Sequence, residues 1–287
     1  MSALRAPATE RPRAAPRGAE FSFSAADFER VRTLIYQRAG ISLHGGKQAM
    51  VYSRLSRRLR DLGHGSLSDY LLALERSQGP AAEAEWQEFV NCLTTNLTAF
   101  FREVHHFPVL AAELRRRGRE SLRIWCNAAS TGEEPYSLAM TVIEALGPAA
   151  SVRIVCSDID TKVLATAERG VYPADAKGLD DACLRRHFLR GEGANSGAIK
   201  IRPELQRLVE FRTLNLIDSK WSMGEPFDIV FCRNVMIYFD AATQRAVLER
   251  MHRVMRPGSL LFAGHSENFN DSKDLFRLRA KTVYERV

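Results

Sequence analysis

A chain of 287 residues exceeds one minimal hydrophobic core and suits a main domain of about 200 residues with a smaller one beside it. With 45% hydrophobic and 26% charged residues it reads as a soluble globular protein, and no apolar run approaches the roughly 20 residues that cross a bilayer, which argues against direct membrane insertion. The formal charge of +7 favours acidic partners such as nucleic acid, anionic membrane or an acidic protein surface, and charge alone does not choose among them.

Residues 1–20 carry Arg5, Arg11, Arg13 and Arg17 without a following apolar stretch, so they do not form a secretory signal, and their Ala, Pro and Arg content predicts a disordered lead-in. Five cysteines (Cys92, Cys126, Cys156, Cys183 and Cys232) contain no C-x-x-C pair, and three end apolar runs. Reduced core thiols in a cytoplasmic protein are expected, rather than disulfides or zinc.

Residues 21–92 read as a small all-helical domain. Ser24 is a plausible N-cap with Asp27 three residues on, and Phe28, Val31, Leu34 and Ile35 recur at helical spacing. A second helix is expected from about Lys47 to Leu62, with two shorter ones around Leu67–Glu75 and Glu83–Leu93. Between Lys47 and Arg60 stand five basic residues and no acidic one. Lys47, Arg54 and Arg58 share one face with Arg57 at its margin, beside an apolar stripe of Val51, Leu55, Leu59 and Leu62. That face is either merely solvated or a docking ridge for something acidic.

The remainder, residues 93–287, alternates strand and helix from residue 120 onward. Leu122–Cys126, Val152–Cys156, Phe227–Cys232 and Ser259–Ala263 are short, nearly all-apolar runs typical of strands buried on both faces. Helices are expected over Glu134–Ala145, Thr161–Arg169 and Ala242–Met255, the last stopped by Pro257-Gly258. The alternation predicts an α/β fold with a doubly wound sheet. Glycines at 191, 193 and 197, then the alternating run Ala198–Arg202, mark a small β insertion at about 188–213.

In such a sheet ligands bind outside the carboxyl ends of the strands. The first strand runs into Asn127-Ala128-Ala129-Ser130-Thr131-Gly132-Glu133-Glu134. Its small residues let the backbone approach a ligand, but it is not G-x-G-x-x-G, and its two carboxylates would repel a pyrophosphate. A ligand with a cationic centre such as a sulfonium is compatible. The second strand ends in Ser157-Asp158-Ile159-Asp160, where an acid can accept from both ribose hydroxyls or simply cap a helix. The third buried run ends in Arg233-Asn234-Val235-Met236-Ile237-Tyr238, either a pocket wall or a loop with a core tyrosine. Outside the sheet, Leu93–Glu103 is polar and β-branched, then aromatic: a poor helix interior and a plausible lid. His105-His106 follow; adjacent helical histidines face different directions, so no metal is expected.

The strings TTNLTAFFRE-x-HHF, STGEEPYSLAM and CRNVMIYF, in this order and spacing, closely resemble the CheR-type chemotaxis receptor methyltransferases, a likeness that extends from about residue 21 to the C-terminus. The resemblance implies a helical N-terminal domain and a Rossmann-like S-adenosylmethionine methyltransferase domain with an inserted β subdomain. It implies a protein-glutamate O-methyltransferase that uses S-adenosyl-L-methionine, releases S-adenosyl-L-homocysteine, and needs no metal. Asn96, Thr98 and Arg102 are then expected to reach the cofactor from the junction segment. Glu133 and Asp158 would hold its amino end and ribose, Asn215-Leu216 its adenine side, and Arg233-Asn234 the wall after the third buried run. Arg102 and Tyr238 resemble residues near the transferred methyl. The basic helix with Lys47, Arg54, Arg57 and Arg58 matches the element that docks the receptor's cytoplasmic methylation region. The loop Arg190–Gly197 resembles that of members whose β subdomain binds a peptide at the receptor's C-terminus. Asn127 departs from the small residue common in relatives.

A glutamate with a pKa near 4.3 is already ionised at neutral pH, so methyl transfer to it by in-line displacement requires no general base. Two alternatives remain from the sequence. A nucleic-acid methyltransferase would suit the positive charge, yet the N/D-P-P-Y/F motif common in amine-directed enzymes is replaced by Arg233-Asn234-Val235-Met236, which argues against nucleic acid. A non-catalytic receptor-binding adaptor is the other.

Overall fold

The computed structural model describes residues 21–118 and 120–287 and divides into two compact units, one holding residues up to Gln37 and Leu43–Leu93, the other Arg38–Ser42 and Thr94–Val287. The lead-in expected over residues 1–20 lies outside the described residues. Among the described residues no helix is long and apolar enough to cross a membrane.

The first unit is built from α1 (Ala25–Ala39), α2 (Gln48–Leu62), α3 (Leu67–Arg76) and α4 (Pro80–Leu93). At the start of α1, Asp27 N–H donates to Ser24 Oγ while Asp27 Oδ2 accepts from Ser24 N–H, so two of the orphan donors of a helix start are satisfied reciprocally. Phe28, Val31, Ile35, Val51, Leu55, Leu59, Tyr70, Leu71 and Phe89 form its buried interior. The expected apolar stripe of α2 ends a turn early, because Leu62 is exposed before the left-handed Gly63 that stops the helix.

In the second unit the chain order is α5 (His106–Arg117), β1 (Leu122–Cys126), α6 (Glu133–Leu146), β2 (Val152–Asp158), α7 (Thr161–Arg169), β3 (Val171–Pro173), α8 (Asp181–His187), β4 (Phe188–Arg190), β5 (Ala198–Ile201), α9 (Pro203–Gln206), β6 (Val209–Thr213), β7 (Phe227–Cys232), α10 (Ala241–Val254), β8 (Met255–Ala263), β9 (Phe276–Ala280) and β10 (Val283–Arg286). Seven strands form one sheet in the order β6-β2-β1-β7-β8-β10-β9. The first five run parallel, while β10 and β9 close the far edge antiparallel. Alternation along each strand sends Leu122, Ile124 and Cys126 into one apolar layer and Trp125 into the other, so both faces are covered. Strand order reverses between β1 and β7, which makes the carboxyl ends of those two strands the natural crevice.

The insertion is a separate antiparallel sheet, β3-β5-β4. Its limits differ from the sequence expectation of 188–213. It begins earlier, with Val171–Pro173, and Val209–Thr213 pairs with β2 as an edge strand of the large sheet. Half-buried Val209, Phe211 and Arg212 carry only a weak apolar signal, which hid this edge strand. The last helix ends at Val254, ahead of Pro257-Gly258, because Met255 already turns into extended backbone.

Candidate active site

Loops after β1, β2, β7 and β8 and the junction segment 94–105 meet at the carboxyl end of the sheet. Among the described residues, five that are not glycine adopt a positive φ: Phe101, Glu103, Ser130, Asn234 and Thr282. The first two lie in the junction and the next two in the loops after β1 and β7. Such backbone costs of order 1–2 kcal/mol per residue and persists where surroundings over-determine it, most often at functional sites.

The loop after β1 is shaped by Gly132, whose φ of 99° suits glycine and where a Cβ would lie 2.5 Å from the Tyr172 hydroxyl. Tyr172, on β3, donates to the Thr131 carbonyl at 2.8 Å, so the inserted sheet braces this loop. Two successive carboxylates then take different places. Glu133, half-buried at the first position of α6, accepts from Thr131 Oγ1 at 2.6 Å. Glu134 turns inward and receives Arg233 Nη1 at 2.5 Å, a pair with the guanidinium fully buried. The resemblance implies Glu133 at the cofactor's amino end, no role for Glu134, and Arg233-Asn234 on the wall after the third buried run. The Arg233 side chain is instead a buried counter-ion whose Nη2 also donates to the Arg102 carbonyl.

Asp158 ends β2 with both oxygens engaged, accepting Ser130 N–H at 2.8 Å and Asp160 N–H at 3.0 Å. The Ile159 amide is a third backbone donor to this carboxylate, which has about four acceptor positions in all. Burial raises its carboxyl, against the pull of those backbone donors, to about 6. Asp160 has the capping role that the sequence left open: Oδ1 accepts from the Lys162 and Val163 amides at the start of α7, while Oδ2 takes Thr94 Oγ1 at 2.6 Å and Asn96 Nδ2 at 2.8 Å. Asn96 is thereby turned to Asp160, and Thr98 is half-buried in the same segment. Arg102 Nη1 donates to the Leu97 carbonyl at 2.7 Å, closing the segment on itself.

After β6, Asn215 Nδ2 donates to the Arg38 carbonyl at 2.7 Å and its Oδ1 accepts the Ile217 amide, and Leu216 is buried. Tyr238 is half-buried at the end of the 3-10 turn Met236–Tyr238. Asn127, the departure from the family pattern, is buried with Nδ2 toward Met251 Sδ and Oδ1 lacking a protein partner.

Several residues here were missed from sequence. Glu267, nearly buried, accepts the amides of Asn234, Val235, Met236 and Gly264 with its two oxygens and so ties the loop after β7 to that after β8. Burial raises its carboxyl despite those four donors. Gly264 is required by close approach, since a Cβ there would lie 2.5 Å from Asn234 Nδ2. The signal was available: the strand-end rule, applied to Ser259–Ala263, leads directly to Gly264-His265-Ser266-Glu267. His105 and His106 also differ from expectation. They stand at the helix start rather than within it, and both Nε2 atoms reach Thr282 Oγ1, at 3.3 and 2.7 Å. Glu103 joins them, with ligand-type atoms of the three residues within 4.8 Å of one another. Burial, with the charge of Arg233, lowers His106 to about 3, so this ring is neutral.

The basic face of α2, in the first unit, is only partly outward. Arg58 is bound by Glu85, with Nε to Oε1 at 2.9 Å, and Arg54 Nη1 donates to the Leu93 carbonyl at 3.0 Å. Lys47, just ahead of α2, and Arg57 are exposed. The face that carries residues 54 and 58 is thus turned toward α4, a contact that the charge count did not reveal.

Residues 96–285 match the family model of the CheR methyltransferase, SAM binding domain, and residues 26–94 that of the CheR methyltransferase, all-alpha domain. The chain is 53% identical over 269 residues to Chemotaxis protein methyltransferase 2 of Pseudomonas aeruginosa, covering 92% of this chain and 94% of the relative. It is 51% identical over 265 residues to the chemotaxis protein methyltransferases of Salmonella typhimurium and Escherichia coli, covering 92% of this chain and 91% of each. Together with the strand order and the carboxyl-end crevice, these matches show that the chain belongs to the CheR methyltransferase family, whose larger domain binds S-adenosylmethionine.

Proposed function

We propose that the chain transfers a methyl group from S-adenosyl-L-methionine to glutamate side-chain carboxylates in the cytoplasmic methylation region of chemotaxis receptors, forming methyl esters. The observation that carries this reading is the polar set at the crevice: a buried Asp158 at the end of β2, Glu133 at the start of α6, and the donor Arg102 in a strained segment of the same unit. These residues suit the cofactor. Asp158 offers acceptors to the ribose diol, and Glu133 offers a carboxylate to the amino group. Asn127 Oδ1, buried without a protein partner, is a further acceptor at the β1 end. When bound, the cofactor supplies a methyl on a positively charged sulfur.

The rest is done by the chain. A glutamate substrate is ionised at neutral pH and needs no base. Arg102 orients that carboxylate, Tyr238 shapes the approach, and the neutral, buried His106 takes no proton from it. Positioning of this kind can supply several kcal/mol of the barrier. Exposed Lys47 and Arg57 dock the receptor's acidic methylation region. The small sheet, in which β4 is an edge, is read as the site for a peptide from the receptor's C-terminus.

The test is methyl transfer from radiolabelled cofactor to membranes bearing chemotaxis receptors, followed by mild alkali. Label on the receptor band that is released as methanol is expected. Alkali-stable label would overturn the carboxylate reading.

A further inference from the structure

We infer that Glu103 is a positioning residue for methyl transfer, clamping the junction segment so that Arg102 is held in its reactive place. This rests on the role given to Arg102 above. The residues on both sides of Arg102, Phe101 and Glu103, have φ values of 50° and 56°, in the left-handed region that bulky side chains avoid. A backbone bent twice in three residues relaxes unless it is tied. On the first side, Phe101 N–H donates to Ser137 Oγ at 2.9 Å and its ring meets Phe107 edge-on at 5.0 Å. On the second side the tie is the Glu103 carboxylate. Its Oε1 accepts the His265 amide at 3.1 Å, His265 Nδ1 at 3.0 Å and Asn234 Nδ2 at 3.3 Å. Because a carboxylate only accepts, Nδ1 of His265 carries the proton.

The other oxygen lies 3.5 Å from Arg233 Nη2, the same nitrogen that donates to the Arg102 carbonyl. Arg102 is therefore pinned through its own carbonyl and through the next side chain, to the ends of β7 and β8. Burial opposes the charge on Glu103, yet the His265 bonds and Arg233 hold it at about 2, so the clamp stays ionised at working pH. The cluster with His105 and His106 is better filled by these partners than by a metal ion. The Arg233 guanidinium already faces the carboxylate, and both imidazole Nε2 atoms are turned to Thr282.

A double-mutant cycle tests this, with initial methylation rates measured for wild type, Glu103→Gln, Arg102→Ala and the double variant at saturating cofactor. Glu103→Gln should lower kcat about 10- to 100-fold in the wild-type background. In the Arg102→Ala background the same change should cost less than about twofold, since nothing remains to be positioned. His265→Ala, which alters an exposed side chain, should repeat the pattern with a smaller loss and carries the cycle alone if Glu103→Gln does not fold. Equal fold-losses in both backgrounds, or full activity of Glu103→Gln, would overturn the inference while leaving receptor methylation by the wild type intact. A wild type that does not label receptors overturns the parent reading and this one with it.

Discussion

Helix α2 and the junction segment are both dense in polar side chains, and both stand out in the sequence, yet they use that polarity in different ways. In α2 the Arg58–Glu85 pair keeps 21% exposure on each side chain, and water still screens it. In the second unit the Arg233–Glu134 pair has a guanidinium at 0% exposure. The two pairs have the same chemistry, but the second was taken out of water and must be complete to be tolerated. Depth, rather than residue type, decides which of them the fold depends on.

Breaking each pair should expose that difference most sharply. Glu134→Ala strips the nearer of two carboxylates from a fully buried guanidinium, leaving Glu103 at 3.5 Å, and should cost about 3 kcal/mol of stability. Arg58→Ala removes a partly exposed pair and should cost about 1 kcal/mol or less. Urea denaturation midpoints of the two variants give the comparison, and equal losses would mean that burial is not what separates them.

The next effect is on activity. Arg102→Ala should lower methyl transfer about 100- to 1000-fold, as removal of a preorganised charge partner does elsewhere. Its denaturation midpoint should change little, because among the described residues the side chain's hydrogen bond is to Leu97 within its own segment. Activity equal to wild type would remove Arg102 from the reaction.

These contrasts also mark what could be seen beforehand. The parallel strands were legible because strands buried on both faces read as continuous apolar runs, as in Leu122–Cys126 and Phe227–Cys232. Edge strands were not: Val209–Thr213 and Phe276–Ala280 keep polar residues toward solvent and have no such run. At the site, Arg102, Glu133 and Asp158 stood out by motif. The partnerships Arg233–Glu134 and Glu103–His265 span 99 and 162 residues, and no local pattern encodes them. The inward turn of residues 54 and 58 on α2 was hidden for the same reason, since Glu85 lies 27 residues from Arg58.

Asp158 sharpens the comparison through pH. Its folded value of about 6 lies above the ordinary value near 3.9, so the protonated form is favoured in the fold. That stabilisation is complete below about pH 4 and is lost as pH rises through 6. Cofactor binding should run the other way, weakening as the carboxylate protonates below pH 6. Asp158→Asn should flatten both slopes and weaken the cofactor by about tenfold at pH 7.5; with one acceptor oxygen in place of two it leaves a backbone donor unpaired, at a cost of about 1–3 kcal/mol. Calorimetric titration and thermal unfolding across pH 5–8 read the two effects separately; parallel slopes in binding and stability would contradict the assignment.

The smallest effect returns to α2, where charge on the outside is set against charge already spent. Lys47 and Arg57 are exposed, so Lys47→Ala and Arg57→Ala should each raise KM for receptor membranes about two- to fivefold and reduce its salt dependence, with kcat unchanged. Arg58 is held by Glu85, and its loss removes a cation whose field is already largely cancelled. Arg58→Ala should therefore move KM less than Arg57→Ala does, and its cost should appear in stability. The measurement is initial rate against receptor concentration at low and high salt. A larger KM effect at Arg58 than at Arg57 would mean that the Glu85 pair opens when the acidic helix docks, and α2 would then resemble the junction segment in using an internal partner as part of its function.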